Sequence, residues 1–450
     1  MPAQAPPFER IALLLQGGGA LGAYQGGVYQ ALAEADLHPD WVAGISIGAI
    51  NAALIAGNPP QHRVEKLRIF WETVSKPPPF ERIALLLQGG GALGAYQGGV
   101  YQALAEADLQ PDWVAGISIG AINAALIAGN PPEHRVEKLR AFWETVSKPP
   151  PGALNPTGVM PRDDATHRLV NQAHALGTLV AGAPGFFVPR LPPPYLYPPG
   201  TPQALSWYDT APLRTTLERL ADFDRLNHGE MRLSVGAVNV RTGNFIYFDN
   251  TTQRIGPEHV IASGSLPPGF PATVIDREHY WDGGLVSNTP LQWVLDSDPR
   301  VDTLAFQVDL WNARGEMPRD LMGVELRQKE IRYSSRTRAA TDQFKRQQSL
   351  RRAIARLLPQ IPSELQQMPE AEFLAKHADQ KVYNIIHLIY HAKNYEGSSK
   401  DYEFSRATMN EHWNSGYNDA VRTLRHPEVL QRPEGANGVL TFDLAVDGRD

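Results

Sequence analysis

Ile83–Gly120, IALLLQGGGALGAYQGGVYQALAEADLQPDWVAGISIG, decides the fold of this chain of 450 residues. Its first run, Ile83 to Gln88, is apolar and ends in glycines, which reads as a parallel strand buried on both faces. Ala95 to Ala107 follows with helical periodicity, placing Val100, Leu104 and Ala107 on one side. Trp113 to Ile117 is a second short apolar run. Ala121 to Ala128 is small and apolar enough for a buried helix. Strands alternating with helices predict an α/β fold on a mainly parallel sheet.

This segment belongs to a tandem repeat. Pro6–Pro77 and Pro78–Pro149 are identical except at His38/Gln110, Gln61/Glu133 and Ile69/Ala141. Two long, near-identical units are not the short, numerous units of a solenoid. Each copy carries a glycine loop, Gly17-Gly18-Gly19-Ala20-Leu21-Gly22 and Gly89-Gly90-Gly91-Ala92-Leu93-Gly94. Each also carries G-x-S-x-G, around Ser46 and around Ser118. The chain therefore offers two candidate nucleophiles.

Composition narrows the chemistry. The chain is 42% hydrophobic and 20% charged, the profile of an ordinary globular protein. A net charge of -6 argues against a nucleic-acid partner. With no cysteine, disulfides and thiolate catalysis are excluded, and neither a metal nor a cofactor is expected. Met1 to Arg10 is proline-rich and polar, unlike a leader peptide. The mostly apolar Trp41 to Ala56 falls short of a membrane span. A cytoplasmic location is expected.

Downstream, residues 177 to 200 are rich in proline and aromatics, and Phe186, Phe187, Tyr195 and Tyr197 suit either an acyl-chain wall or a surface loop. Asp209-Thr210-Ala211-Pro212 reads as a helix start. Arg232 to Asn239 and Asn244 to Phe248 flank Thr242-Gly243 as a hairpin. Val301 to Val308 and Val382 to Tyr390 read as strands, Val324 to Leu358 as one long helix, and Ser405 to Leu424 as a closing helix. Glu325 to Arg356 holds ten basic residues against three acidic ones. Such a helix either touches an anionic membrane or packs on the domain with its charges solvated.

A G-x-S-x-G between strand and helix is a nucleophile elbow, with the helix N-terminus favouring developing negative charge. The glycine loop also fits a dinucleotide fingerprint, but that needs an acid at the end of the second strand, where Gly116-Ile117-Ser118 stands instead. Bare N–H groups of Gly89, Gly90 and Gly91 (Gly17, Gly18 and Gly19 in the first copy) suit an oxyanion hole. For a base, a Ser-Asp-His order would allow His387, His391, His412 or His426. Asp282, in Trp281-Asp282-Gly283-Gly284, is the better candidate, in a turn that exposes a carboxylate.

Together the loop GGGALG, the elbow GISIG and the distal DGG resemble the patatin-like phospholipase family. Ala262 to Pro271 (ASGSLPPGFP) and Asp282 to Pro290 (DGGLVSNTP) also look like its bacterial members. The resemblance covers roughly residues 80 to 310, and the stretch through Glu403-Phe404-Ser405 and Glu411-His412-Trp413 looks like the C-terminal extension of one bacterial branch. It implies a three-layer fold with a helical C-terminal extension, and ester hydrolysis by a Ser-Asp pair without histidine. The matching positions are Ser118, or Ser46, and Asp282. Many relatives carry Arg or Lys where this chain has Leu93 and Leu21, which tilts the expectation from phospholipids toward neutral esters.

The expected division is a spare copy over 1–77, a catalytic domain over 78–320 and an extension packed on it over 321–450. Ser118 is favoured over Ser46, because the second copy runs directly into the rest of the fold. The expected partners are a lipid or small acyl ester, transient contact with a membrane surface, and a second molecule through oligomerisation or a domain swap.

Overall fold

The computed structural model describes residues 8–74, 80–149, 163–334, 337–393, 395–435 and 437–444. Residues 1–7, part of the stretch read above as unlike a leader, lie outside them. The chain divides into two compact units, one of residues 1–79 with 105–109 and one of 80–104 with 110–450.

In the first unit β1 (Ala12–Leu15) pairs in parallel with β2 (Trp41–Gly44), Leu14 opposite Ala43. Helices Gly22–Glu34, Ile47–Ala56 and Pro60–Val74 complete it. A small core gathers Leu15, Tyr29, Ile55 and Leu67.

In the larger unit the strands are β3 (Arg82–Leu87), β4 (Trp113–Ile117), β5 (Val188–Pro189), β6 (Tyr208–Asp209), β7 (Arg232–Asn239), β8 (Phe245–Asp249), β9 (Thr273–Ile275), β10 (Glu278–Asp282), β11 (Thr303–Asp309), β12 (Tyr383–Ile389) and β13 (Val439–Phe442). Among the described residues one sheet runs β13-β12-β11-β3-β4-β7-β10-β9, with β8 also on β7; β5 and β6 form a separate pair. From β13 to β7 every pairing is parallel, whereas β8, β9 and β10 join antiparallel. Ala84, Leu86, Ala115, Ala305 and Ile385 pack on one face with Leu291, Val294 and Phe344 from covering helices. The alternate positions Leu85, Leu87 and Val114 are equally buried, so both faces are covered, as the continuous apolar runs require.

The C-terminal region does more than cover the domain. It supplies β12 and β13 to the central sheet, with β12 beside β11 in register Phe306↔Ile386. The expected single helix over Val324 to Leu358 is two, Leu321–Tyr333 and Thr337–Leu357. Three basic side chains of the second are turned to the domain itself, while Arg346 and Arg356 are exposed. Lys345 Nζ donates to Thr441 Oγ1, Arg352 Nη1 to the Gln380 carbonyl, and Arg351 faces Asp296 at 3.5 Å. No helix among the described residues is long and apolar enough to cross a membrane.

The two copies make one backbone and two environments. β3 and β4 repeat the register of β1 and β2, Leu86 opposite Ala115. Leu86 and Trp113 are fully buried, whereas their counterparts Leu14 and Trp41 are 73% and 64% exposed. Burying a side chain of that size is worth roughly 2 kcal/mol, so the second copy gains what the first forgoes. What differs is the sheet, since β3 lies between β11 and β4, and β4 between β3 and β7.

Candidate active site

Ser118 sits where β4 turns into the helix Ile119–Ala128, at φ 57 and ψ -123. A side chain rarely adopts a positive φ, so surrounding bonds must hold it there. Ser263 supplies one: its Oγ accepts from the Ser118 N–H at 3.0 Å and donates to the Gly236 carbonyl on β7. The Ser118 hydroxyl donates to Asp282 Oδ2 at 2.6 Å.

Asp282 closes β10, the last three residues of which pair with β7. Its other oxygen, Oδ1, accepts from the Gly284 N–H at 2.7 Å. Burial pushes its carboxyl up to about 7, against the opposing pull of the Ser118 hydroxyl and the Gly284 N–H. A carboxylate that titrates near neutrality is matched to taking and returning a proton.

The glycine loop lies against this pair. A Cβ on Gly89 would come 3.0 Å from Ser118 Cβ and 2.4 Å from Asn288 Oδ1. Gly91 has φ +55 and meets the Asp401 carbonyl, which also accepts from the Ala92 N–H at 2.8 Å. The loop is tied by its carbonyl side: Gly89 O accepts from Asn288 Nδ2 and Trp311 Nε1, both at 3.0 Å. Gln88 adds to this, its Oε1 accepting from the backbone N–H groups of Leu310 and Trp311. The N–H groups of Gly89, Gly90 and Gly91 take no backbone acceptor among the described residues. They remain available to a developing oxyanion, beside the N-terminus of the buried helix Ile119–Ala128.

A cavity of about 290 Å³ opens over Ser118 and Asp282. Phe186, Phe187, Phe270 and Phe404 wall it, and Phe187 and Phe270 lie in ring contact at 5.1 Å. The aromatic stretch thus divides: Phe186 and Phe187 are wall, while Tyr195 is surface. Among the described residues no histidine, lysine or arginine lines the cavity. Of the four histidines considered, His412 is nearest the loop, with Nδ1 3.4 Å from the Ala92 carbonyl and Nε2 3.5 Å from Glu396. His426 pairs with Glu428, His391 faces Asn312, and His387 stands on β12. Leu93 is wholly buried and is not among the residues that line the cavity.

Ser46 repeats the elbow at φ 56 and ψ -124, but it is exposed and no acid bonds to its hydroxyl among the described residues. Sequence reading missed Gln88, Ser263, Asn288, Trp311 and Asp401. Only Ser263 and Asn288 carried a signal, lying within the ASGSLPPGFP and DGGLVSNTP stretches.

The family described as patatin-like phospholipase matches residues 13–82 and 85–295, one segment beginning in each copy, and a second description, patatin phospholipase, matches 331–436. No curated protein matches the chain. Among solved structures, VipD from Legionella pneumophila is 14% identical, at a TM-score of 0.34 over 81% of this chain and 72% of that one. The type III effector protein ExoU is also 14% identical, at 0.31 over 79% and 54%.

Proposed function

The chain belongs to the patatin-like phospholipase family, and from that premise we propose that it hydrolyses lipid acyl esters with Ser118 as nucleophile and Asp282 as its base. The observation that carries this reading is the 2.6 Å bond from Ser118 Oγ to Asp282 Oδ2 in the lining of a largely apolar cavity, where no described residue is a histidine. Asp282 takes the hydroxyl proton as Ser118 attacks the ester carbonyl. The N–H groups of Gly90 and Gly91 hold the oxyanion, where one donor is worth on the order of 3 kcal/mol. Asp282 then returns the proton to the leaving alkoxide. Water, deprotonated by the same carboxylate, releases the acyl group and restores the serine.

The phenylalanine walls fit an acyl chain. Among the described residues that line the cavity none is a cation that could meet a phosphate, and Asp401, whose carboxylate pairs with Lys329 at 2.9 Å, is one of them. This supports neutral acyl esters as the preferred substrates and phospholipids as poorer ones. The test is labelling by a fluorophosphonate, followed by hydrolysis of p-nitrophenyl esters of rising chain length, of glycerides and of phosphatidylcholine. Absence of label on Ser118 would end the hydrolase reading; faster cleavage of phosphatidylcholine than of glyceride would reverse the preference.

A further inference from the structure

The helix Asp164–Ala181 is inside out. Its buried residues are His167, Asn171, Ala175 and Thr178, while Leu169, Leu176 and Val180 are exposed. A helix packed on a core ordinarily does the reverse. Here the inner face is polar because its neighbours are: His167 stacks on Tyr395 at 3.7 Å, and His174 faces Glu403 at 3.5 Å. The leucines are left exposed.

The following loop continues the same surface. Arg190 N–H donates to the Trp207 carbonyl, β5 pairs with β6, and Tyr208 OH donates to the Leu179 carbonyl, which ties helix and loop together. On it stand Leu191 at 83% exposure and Tyr195 at 73%, with Leu196 and Leu205 beside them. Tyr195 and Trp207 are in edge contact at 6.4 Å. Exposed apolar area of this extent marks an interaction surface.

We propose that this platform docks on a lipid surface and presents the Ser118 cavity to it. Three observations select lipid as the occupant. The platform is continuous with the cavity: Leu179 lines the cavity yet stays 43% exposed, and Trp207 and Tyr208 bond to the carbonyls of Pro268 and Gly269 in its wall. From residue 165 to residue 208 the chain carries no aspartate or glutamate, so nothing there repels lipid headgroups. Tyr and Trp at the rim are the residues that settle at the boundary of water and hydrocarbon. The basic helix Thr337–Leu357 is not part of this platform, and its Lys345, Arg351 and Arg352 are engaged by the domain.

The purpose of docking rests on the hydrolase reading, but its measurement does not. Full-length Ser118→Ala protein is sedimented with phosphatidylcholine vesicles and with vesicles containing phosphatidylglycerol. It pellets with both. Adding Leu191→Glu and Leu196→Glu lowers the bound fraction by about tenfold. With Ser118 intact, the same double variant cleaves a soluble butyrate ester at the parental rate, which shows that the fold is kept. Equal sedimentation of parent and variant, or none by the parent, overturns the proposal. So does a parent that is dimeric by light scattering and becomes monomeric in the variant, because the face then belongs to a second copy. If vesicles bind but fluorophosphonate leaves Ser118 unlabelled, the hydrolase reading falls and the docking surface stands.

Discussion

Ser46 and Ser118 have the same backbone conformation to within a degree or so, φ 56 and ψ -124 against φ 57 and ψ -123, and among the described residues only Ser118 has an acid at its hydroxyl. The strained turn is thus written into the local sequence. The carboxylate comes from β10, much further along the chain.

Nucleophile mapping follows from that contrast. Fluorophosphonate is expected on the tryptic peptide Ile83–Arg135 and not on Ile11–Arg63, which differ in mass through His38/Gln110 and Gln61/Glu133. Ser118→Ala loses at least about 10³-fold in kcat, whereas Ser46→Ala changes nothing. Label on the first peptide would transfer the role to Ser46.

As the proposed base, Asp282 is expected to set the pH profile. Because the base must be ionised, kcat/KM rises with pH along a single limb with its midpoint at about 7. A limb centred near the ordinary carboxylate value would show that burial does not control this group.

The same group links pH to stability. Its folded value of about 7 lies above the ordinary carboxylate value of 3.8. Its contribution therefore favours the folded state fully below pH 4 and is lost as pH rises to about 7, to a total of about 4 kcal/mol. Asp282→Asn escapes this loss. Its Tm advantage over the parent grows from pH 4 to pH 7 and is flat above; parallel Tm curves would count against the assignment.

Trp311 separates loop position from substrate affinity. Trp311→Phe keeps a ring but removes the N–H that Gly89 O accepts. A loss of about 1 kcal/mol, near fivefold, is expected in kcat with KM unchanged. A change in KM alone would make Trp311 a contact for substrate rather than a support for the loop.

Removing residues 1–77 tests the spare copy. The site is built within the larger unit, so kcat/KM is expected to stay within about twofold. The first unit exposes Leu14 and Trp41 on a lone pair of strands, and losing such a pair reduces self-association, measured by light scattering. Loss of activity would mean that the first copy contributes to the site.

Much of this architecture was legible because it is local. Ile83–Gly120 encodes strand, loop, helix and elbow through periods and glycines that need no partner to be read, and the hairpin at Thr242-Gly243 is equally local. What escaped was long-range. Gln88 looked like the polar end of a strand, and only β11 shows its side chain bonded to Leu310 and Trp311. The break between Tyr333 and Thr337 carries no proline or glycine to announce it. The helix Asp164–Ala181 has leucines at core spacing, and nothing in that spacing says that the inner face takes histidine instead. The two copies mark the limit most plainly, since Leu14 and Leu86 occupy identical sequence and opposite environments.

The supports of the glycine loop have a consequence for biosynthesis. Leu310, Trp311 and Asp401 leave the ribosome long after Gly89, by on the order of tens of seconds at ordinary rates of translation. Until they arrive, a nascent chain holds the elbow without the carbonyls and donors that fix the loop beside it. On this reading, catalytic competence is postponed to the end of translation, and interrupted products carry an inert serine.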